Sequence, residues 1–386
     1  MTILILGGEG AMAEAGWATL FAERMVSSRF APVVNLSDRS TGALSALPLY
    51  AEARLALHLD RADLLIWDHA ESLRRWIAEE GIALERALRP VELLLRACVR
   101  ARQPIIALLS EGREAAASVE PDPVRAALTH LFERYAAPTV SLTAELRARL
   151  RVATLDPSHF APSGRGYAIS GPATEAIVDI VEAAAESALR PPRPPFMPTA
   201  VVSPQTIGAV RVALPAHALG GEAATSAAIR AGDLEIPAFE IAPGGFVEFE
   251  IEGEFLGLLV AVGPHEGALT FATRADDGPK ALVGRSASLR AARSGLGEIA
   301  LEPALEPAMG PAMLKPGSVL RLSNPADPAA LAPDLRPTGI AGMRLDDAAA
   351  APGPVRIAAL VERRPNATIS EAAATAAAAE MTDPVG

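Results

Sequence analysis

Five prolines fall within the nine residues Arg190–Pro198 (RPPRPPFMP), and they divide the chain into two stretches of different hydrophobic periodicity. Proline fixes φ and has no N–H to donate, so this run cannot continue a helix and reads as an extended, semi-rigid connector. Ahead of it, short apolar runs alternate with segments of helical spacing. The runs ILILG (3–7), PVVNLS (32–37), DLLIWD (63–68) and PIIALLS (104–110) read as buried strands, with a shorter strand near 138–142. Helices are expected over 11–27, after Asp68, and over 84–102, 122–135, 143–151 and 172–189. In the first, Ala13, Trp17, Leu20, Phe21 and Met25 share a stripe; in the third, Val91, Leu94, Leu95 and Cys98 do. Strands alternating with helices imply an α/β domain, a flavodoxin-like parallel sheet with helices on both faces. In such sheets the loops at the strand C-termini build the ligand site. Here those loops are Gly7–Met12, Ser37–Gly42, Asp68–Ser72 and Ser110–Arg113.

After the prolines the pattern changes to short strands between Gly/Pro turns, and an antiparallel β-sandwich is expected. FVEFEIEG (246–253) alternates apolar and acidic residues, so Glu248, Glu250, Glu252 and Glu254 form a solvated row. LGLLVAVG, ALTFATR, SVLRLSN and PVRIAALVER follow. The expected division is an α/β domain over 1–190, a linker over 191–198, a β-sandwich over 199–365 and an Ala-rich tail over 366–386. The β-rich part has no Trp or Tyr, and most of its Phe residues alternate into the expected core. It therefore lacks the aromatic platforms on which sugars usually stack.

Composition narrows the function classes. A net charge of −11 argues against nucleic-acid binding, which needs a basic surface. The single Cys98, in an apolar helical run, excludes an internal disulfide and a Cys-based metal cluster, and reads as a small buried residue. His58, His69, His130, His217 and His265 show no metal-binding spacing, so neither metal nor cofactor is expected. No apolar stretch approaches the ~20 residues of a membrane span. Glu9 interrupts the apolar start and no basic segment precedes it, so a cytoplasmic location is expected.

Two motifs carry chemistry. Gly8-Glu9-Gly10-Ala11-Met12-Ala13 fits the dinucleotide pattern G-x-G-x-x-A after a strand, with Asp38 as the ribose-binding acid. Asp38 lies 25 residues past Ala13 rather than the usual ~20, and Glu9 would set a negative charge beside the phosphates. Dinucleotide binding stays an alternative. Asp156-Pro157-Ser158-His159 precedes the last helix, where an Asp can orient a His as general base. The same four residues can also form an N-cap and turn, with His159 bonded to the backbone.

Taken in order, the loops resemble those of the SGNH (GDSL-type) hydrolases, in particular a subgroup associated with bacterial surface-polysaccharide biosynthesis. The similarity runs over about residues 1–190. It rests on Gly7-Gly8-Glu9-Gly10-Ala11 with Met12 and Gly16-Trp17, on Asn35-Leu36-Ser37-Asp38-Arg39, on Trp67-Asp68-His69-Ala70-Glu71-Ser72, and on Asp156-Pro157-Ser158-His159. The resemblance implies a site with His159, Asp156 and position 9 as its catalytic group, lined by Gly8, Gly10, Ser37, Arg39, Asp68 and Ser72. Three departures stand out. The nucleophilic Ser position holds Glu9, the second-block Gly is Arg39, and the third-block Asn is Ser72 or Glu71. Acyl transfer needs an activated nucleophile and donors aimed at the oxyanion. Glu9 offers neither, and beside His159 it would favour the imidazolium and remove the base.

The expected function is therefore that of an SGNH-like protein of a bacterial polysaccharide system. It binds a glycan or acylated sugar, with Ser-esterase chemistry impaired or lost. One alternative is an active carbohydrate esterase or acyltransferase with a displaced nucleophile such as Ser110 or Ser163. A second is a carboxylate pair of Glu9 with Asp68 or Asp156, as in glycoside hydrolysis. A third is an assembly protein that uses the two domains for contacts with an assembly partner or with its own copies in a homo-oligomer.

Overall fold

The computed structural model describes residues 2–8, 11, 16–29, 32–35, 62–81, 83–118, 122–161, 167, 171–190, 194–198, 210–213, 218–231, 234–251, 254–273, 285–291, 294–300, 317–331 and 352–363. The chain divides into two compact units, Met1–Pro198 and Thr199–Gly386.

The first unit runs β1 (Ile3–Gly7), α1 (Trp17–Arg29), β2 (Val33–Asn35), β3 (Leu64–Asp68), α2 (Ala70–Glu80), α3 (Leu84–Arg100) and β4 (Ile105–Leu109). It continues with α4 (Arg113–Ala117), α5 (Pro123–Arg134), β5 (Thr139–Ser141), α6 (Leu142–Leu150), a 3₁₀ turn (Pro157–His159) and α7 (Pro172–Leu189). The five strands form a parallel sheet in the order β2-β1-β3-β4-β5. This is the flavodoxin-like arrangement that the alternation of strands and helices implies.

Every residue of β1, β3 and β4 is buried. Central parallel strands are covered on both faces, which is why they read as unbroken apolar runs. On one face Ile3, Ile5, Ile66, Ile106 and Leu108 pack against Phe21 and Met25 of α1, Leu146 of α6, and Ile177 and Val181 of α7. On the other, Trp67 meets Phe132 of α5 at 5.4 Å between ring centroids, and α2, α3 and α5 pack on one another. The α3 stripe Val91, Leu94, Leu95 and Cys98 is fully buried, as its spacing predicts. The first helix is described from Trp17, with residues 12–15 outside the described set. α4 is an addition that sequence reading misses: five residues, REAAA, are too few to show a period.

The second unit is an antiparallel sheet of nine strands that curls around one core. Its elements are β6 (Val210–Ala213), β7 (Gly220–Ala231), β8 (Leu234–Glu250), β9 (Glu254–Val262), β10 (Ala268–Thr273), β11 (Arg285–Ser288), β12 (Gly295–Ala300), β13 (Val319–Ser323) and β14 (Val355–Arg363). The main path is β11-β10-β13-β8-β14-β9-β12, with β7 added beside β8 and β6 beside β14. β8 serves both leaves of the curl. Its residues 239–241 pair with β14, and residues 246–250 pair with β13.

The change of direction falls at Pro243-Gly244-Gly245. Gly244 has φ +84°, a left-handed conformation that side chains rarely adopt, and a Cβ on Gly245 would lie 2.7 Å from the Glu222 carbonyl oxygen. Val247, Phe249 and Ile251 point into the core, while Glu250 is exposed and Glu248 pairs with Arg321 at 3.7 Å. The alternation expected for 246–251 is thus present. β7 is the strand the sequence conceals. GGEAATSAAIRA offers small residues without an apolar–polar alternation. No helix among the described residues is long and apolar enough to cross a membrane.

The Phe132→Ala variant, which opens the packing against Trp67, is expected to lose about 3–5 kcal/mol of stability. Val26→Ala, at a side chain 53% exposed, should stay within ~0.5 kcal/mol. Urea unfolding followed by tryptophan fluorescence measures both.

Candidate functional site

The parallel register sets Gly7 opposite Asp68, so the chain leaving β1 passes the end of β3. The Gly8 amide donates to the Asp68 carbonyl at 2.7 Å. A Cβ at position 8 would sit 2.5 Å from Ser72 Oγ, so this glycine lets the loop lie against the first turn of α2. The structure therefore brings Gly8, Asp68 and Ser72 together.

The Asp68 side chain is only 5% exposed. Its carboxylate accepts from Ser110 Oγ at 2.6 Å, at the end of β4, and from the Trp17 side chain at the start of α1. Burial raises its pKa to about 6, against the lowering effect of those two hydrogen bonds. His69 follows in the junction before α2. Neither of its ring nitrogens has a hydrogen-bond partner among the described residues, and its ring lies 6.0 Å from that of Trp67. Burial lowers its pKa to about 4, which keeps it neutral near pH 7.

Arg74 organises the rim. Its guanidinium bonds Asp122 Oδ2 at 2.7 Å and Glu71 Oε2 at 3.1 Å, and it also donates to the Ser110 carbonyl. Asp122 in turn caps α5 through the Val124 amide at 2.9 Å. Glu71 accepts the Gly112 amide at 2.7 Å, and burial raises its pKa against the opposing effect of Arg74. Glu111 is buried beside them and pairs with Arg125 at 2.9 Å.

The Asp156–His159 turn reaches this region through aromatic residues. Phe160 stacks on Tyr167 at 5.6 Å and forms an isolated bridge with it. The Tyr167 hydroxyl bonds Thr143 Oγ1 at 2.9 Å and the backbone of Glu111, and burial raises its pKa, with smaller contributions from the charges of Glu111 and Asp68. Within the turn, His159 Nδ1 accepts the Asp156 amide at 3.1 Å and lies 3.3 Å from Asp156 Oδ1. Asp156 accepts the Ser158 amide at 2.8 Å and the Ser158 hydroxyl, and these bonds lower its pKa. The two side chains thus form a reciprocal capping box.

No hydrogen bond or ion pair joins Asp156 or His159 to Gly8, Asp68 or Ser72 among the described residues. Glu9, Gly10, Ser37 and Arg39 lie outside the described residues, as does Ser163. No group of three or more His, Cys, Asp or Glu suited to a metal occurs among the described residues. Sequence reasoning misses Arg74, Asp122, Thr143 and Tyr167. They come from four separate segments, and only the sheet order makes them neighbours of the strand ends.

No family model matches the chain, and no curated protein matches it. Among solved structures it is similar to the psychrotrophic esterase EstA from Pseudoalteromonas sp., at 14% identity over 49% of this chain and 98% of that one, with a TM-score of 0.37. It is similar to TesA at 15% identity over 48% of this chain and 99% of that one, with a TM-score of 0.36. A likeness to the capsular polysaccharide assembling protein CapF from Staphylococcus aureus spans 95% of this chain and 97% of that one, at 12% identity and a TM-score of 0.22. The fold of this chain rests on its own strand order and not on these low-scoring likenesses.

Asp68 and His69 make opposite contributions to stability as pH changes. The folded pKa of Asp68, about 6, lies above its ordinary 3.8, so its ionisation destabilises the fold as pH rises through that window. The folded pKa of His69, about 4, lies below its ordinary 6.5, so its protonation destabilises the fold as pH falls from 6.5 to 4. The two effects oppose each other between pH 4 and 6 in the native chain. In Asp68→Asn the opposing aspartate contribution is removed, and stability should drop by about 2–3 kcal/mol between pH 6.5 and 4 relative to the native profile. Urea midpoints across that range measure the difference.

Proposed function

We propose that the chain is an SGNH-like protein of a bacterial polysaccharide system. It binds a glycan or an acylated sugar at the C-terminal ends of β1, β3 and β4 and has lost Ser-esterase chemistry. The ligand-binding loops are Gly8–Gly10, Ser37–Arg39, Asp68–Ser72 and Asp156–His159. The observation that carries this reading is the chemistry of the strand ends. Asp68 and Glu111 are buried carboxylates there, Glu71 is a third at the start of α2, and the sequence adds Glu9 in the first loop. An ionised carboxylate only accepts hydrogen bonds. An ester-cleaving site needs donors aimed at a developing oxyanion, and each added carboxylate opposes that charge. Acceptors suit a ligand rich in hydroxyl donors, which describes a sugar; Asp68 and Glu111 are committed within the protein, so the carboxylates assigned to the ligand are Glu71 and Glu9.

Ser110 lies at the end of β4 with the Asp68 carboxylate beside it. It is buried, and its hydroxyl is committed to Asp68. This supports loss of the nucleophile over its displacement to Ser110.

The test uses the full chain with p-nitrophenyl acetate and with an O-acetylated oligosaccharide. Ester turnover is expected to match the protein-free rate, and to be the same in His159→Ala. Titration calorimetry with the oligosaccharide should show saturable binding. Turnover by the native chain that His159→Ala abolishes would overturn the loss of esterase chemistry. Turnover gained only in Glu9→Ser would assign that loss to position 9. Absence of sugar binding would turn the reading to an assembly role.

A further inference from the structure

The geometry points to His159 as a fixed hydrogen-bond donor through Nε2, reading the acyl carbonyl oxygen of an acylated sugar that the chain holds without cleaving. This rests on the proposed sugar-binding function and specifies its ligand. Three groups of Asp156 face the Nδ1 atom of His159: the backbone N–H at 3.1 Å, the carbonyl oxygen at 3.3 Å and Oδ1 at 3.3 Å. The nearest of them can only donate, so Nδ1 must offer it a lone pair. With a proton on Nδ1, two N–H groups would meet head-on. Oδ1 is the group a catalytic pairing would use, but it already accepts the Ser158 amide and the Ser158 hydroxyl. The Asp156 side chain is also 63% exposed, so water competes for its remaining lone pairs. A neutral imidazole carries one proton, and here it resides on Nε2.

That assignment inverts the role of the ring. A general base needs the Nε2 lone pair, with Nδ1–H held by the carboxylate. In the capping box the Nε2–H is a donor, and it makes no hydrogen bond to any described residue. A hydroxyl can both give and take a hydrogen bond, so it would suit either form of the ring. A carbonyl only accepts, so it can bond the ring only in this donor form, and acylation adds one such acceptor to the sugar. The turn is held in place by Phe160 on Tyr167, whose hydroxyl is anchored to Thr143 and Glu111.

Long-range ¹H–¹⁵N correlation spectra of ¹⁵N-histidine-labelled full chain, with His159 assigned through His159→Gln, read the tautomer at neutral pH. The expected result is an unprotonated Nδ1 and a protonated Nε2, unchanged in Asp156→Asn. That variant keeps both the backbone N–H and a cap for Ser158. In a catalytic Asp–His pair the same exchange imposes the wrong tautomer. An Nδ1–H form in the native chain, or a change of tautomer in Asp156→Asn, would overturn the proposal.

For the ligand, an O-acetylated disaccharide and its deacetylated form are titrated against native chain and His159→Ala. Native chain should prefer the acetylated form by about 3- to 10-fold, the range of one neutral hydrogen bond, without releasing acetate. His159→Ala should lose that preference. Equal binding of both sugars by native chain overturns the donor role while leaving sugar binding intact. No binding of either overturns the ligand assignment and the sugar-binding reading together.

Discussion

Burial of β1, β3 and β4 on both faces is the constraint from which the rest of the first unit follows. Strands apolar up to their last residue leave no place along their length for a polar side chain. Polarity is pushed to the strand ends, where the backbone stops pairing and loops begin. Gly8, Asp68 and Ser110 meet there because three neighbouring strands end at the same level. Their mutual hydrogen bonds satisfy groups that would otherwise be buried and unpaired. Candidate site and sheet edge are in this sense one structure, and its chemistry is set by what can be satisfied at that depth.

Charge at this edge is held by a few hubs. Arg74 links α2, the loop after β4 and the cap of α5 through Glu71, Ser110 and Asp122. A buried or half-buried cation with three anchored partners is costly to disturb, because removing one side leaves the other charge uncompensated. Asp68 and His69 show the other solution. Burial disfavours the charged form of each, raising the pKa of Asp68 and lowering that of His69, so two neighbours in sequence answer pH in opposite senses.

The parallel sheet was legible from the sequence because its central strands are unbroken apolar runs and α3 carries a clean stripe. Helix α7 was legible to the residue, bounded by Gly171-Pro172 and the proline run. Of the positions singled out in the sequence, Gly8 is brought to Asp68 and Ser72 from a separate loop, and Asp156 and His159 share one turn. Arg74 and Tyr167 belong to no local pattern, and only the order in which strands pair makes them neighbours of that edge. The motif Asp156–His159 itself has two physical meanings, catalytic pair and capping box. Residue types alone do not distinguish them; the direction of one backbone N–H does. In the second unit, β7 was invisible because Ala, Thr and Ser give no amphipathic signal.

The bend at Gly244-Gly245 has a bearing on how the second unit comes into being. Since β8 belongs to both leaves, neither leaf has a complete set of neighbours without the other. β14, from the far end of the described chain, lies between β8 and β9 on one leaf. Pairings over such sequence separations form late, because the intervening chain must be ordered first. On the ribosome, the first unit can close while the second is still being made, but the second must wait until residue 363 has emerged. Until then the edges of β8 and β9 have no central partner. A stop codon ahead of Val355 would release an open sheet, a species prone to pair with other chains, and not a smaller folded domain.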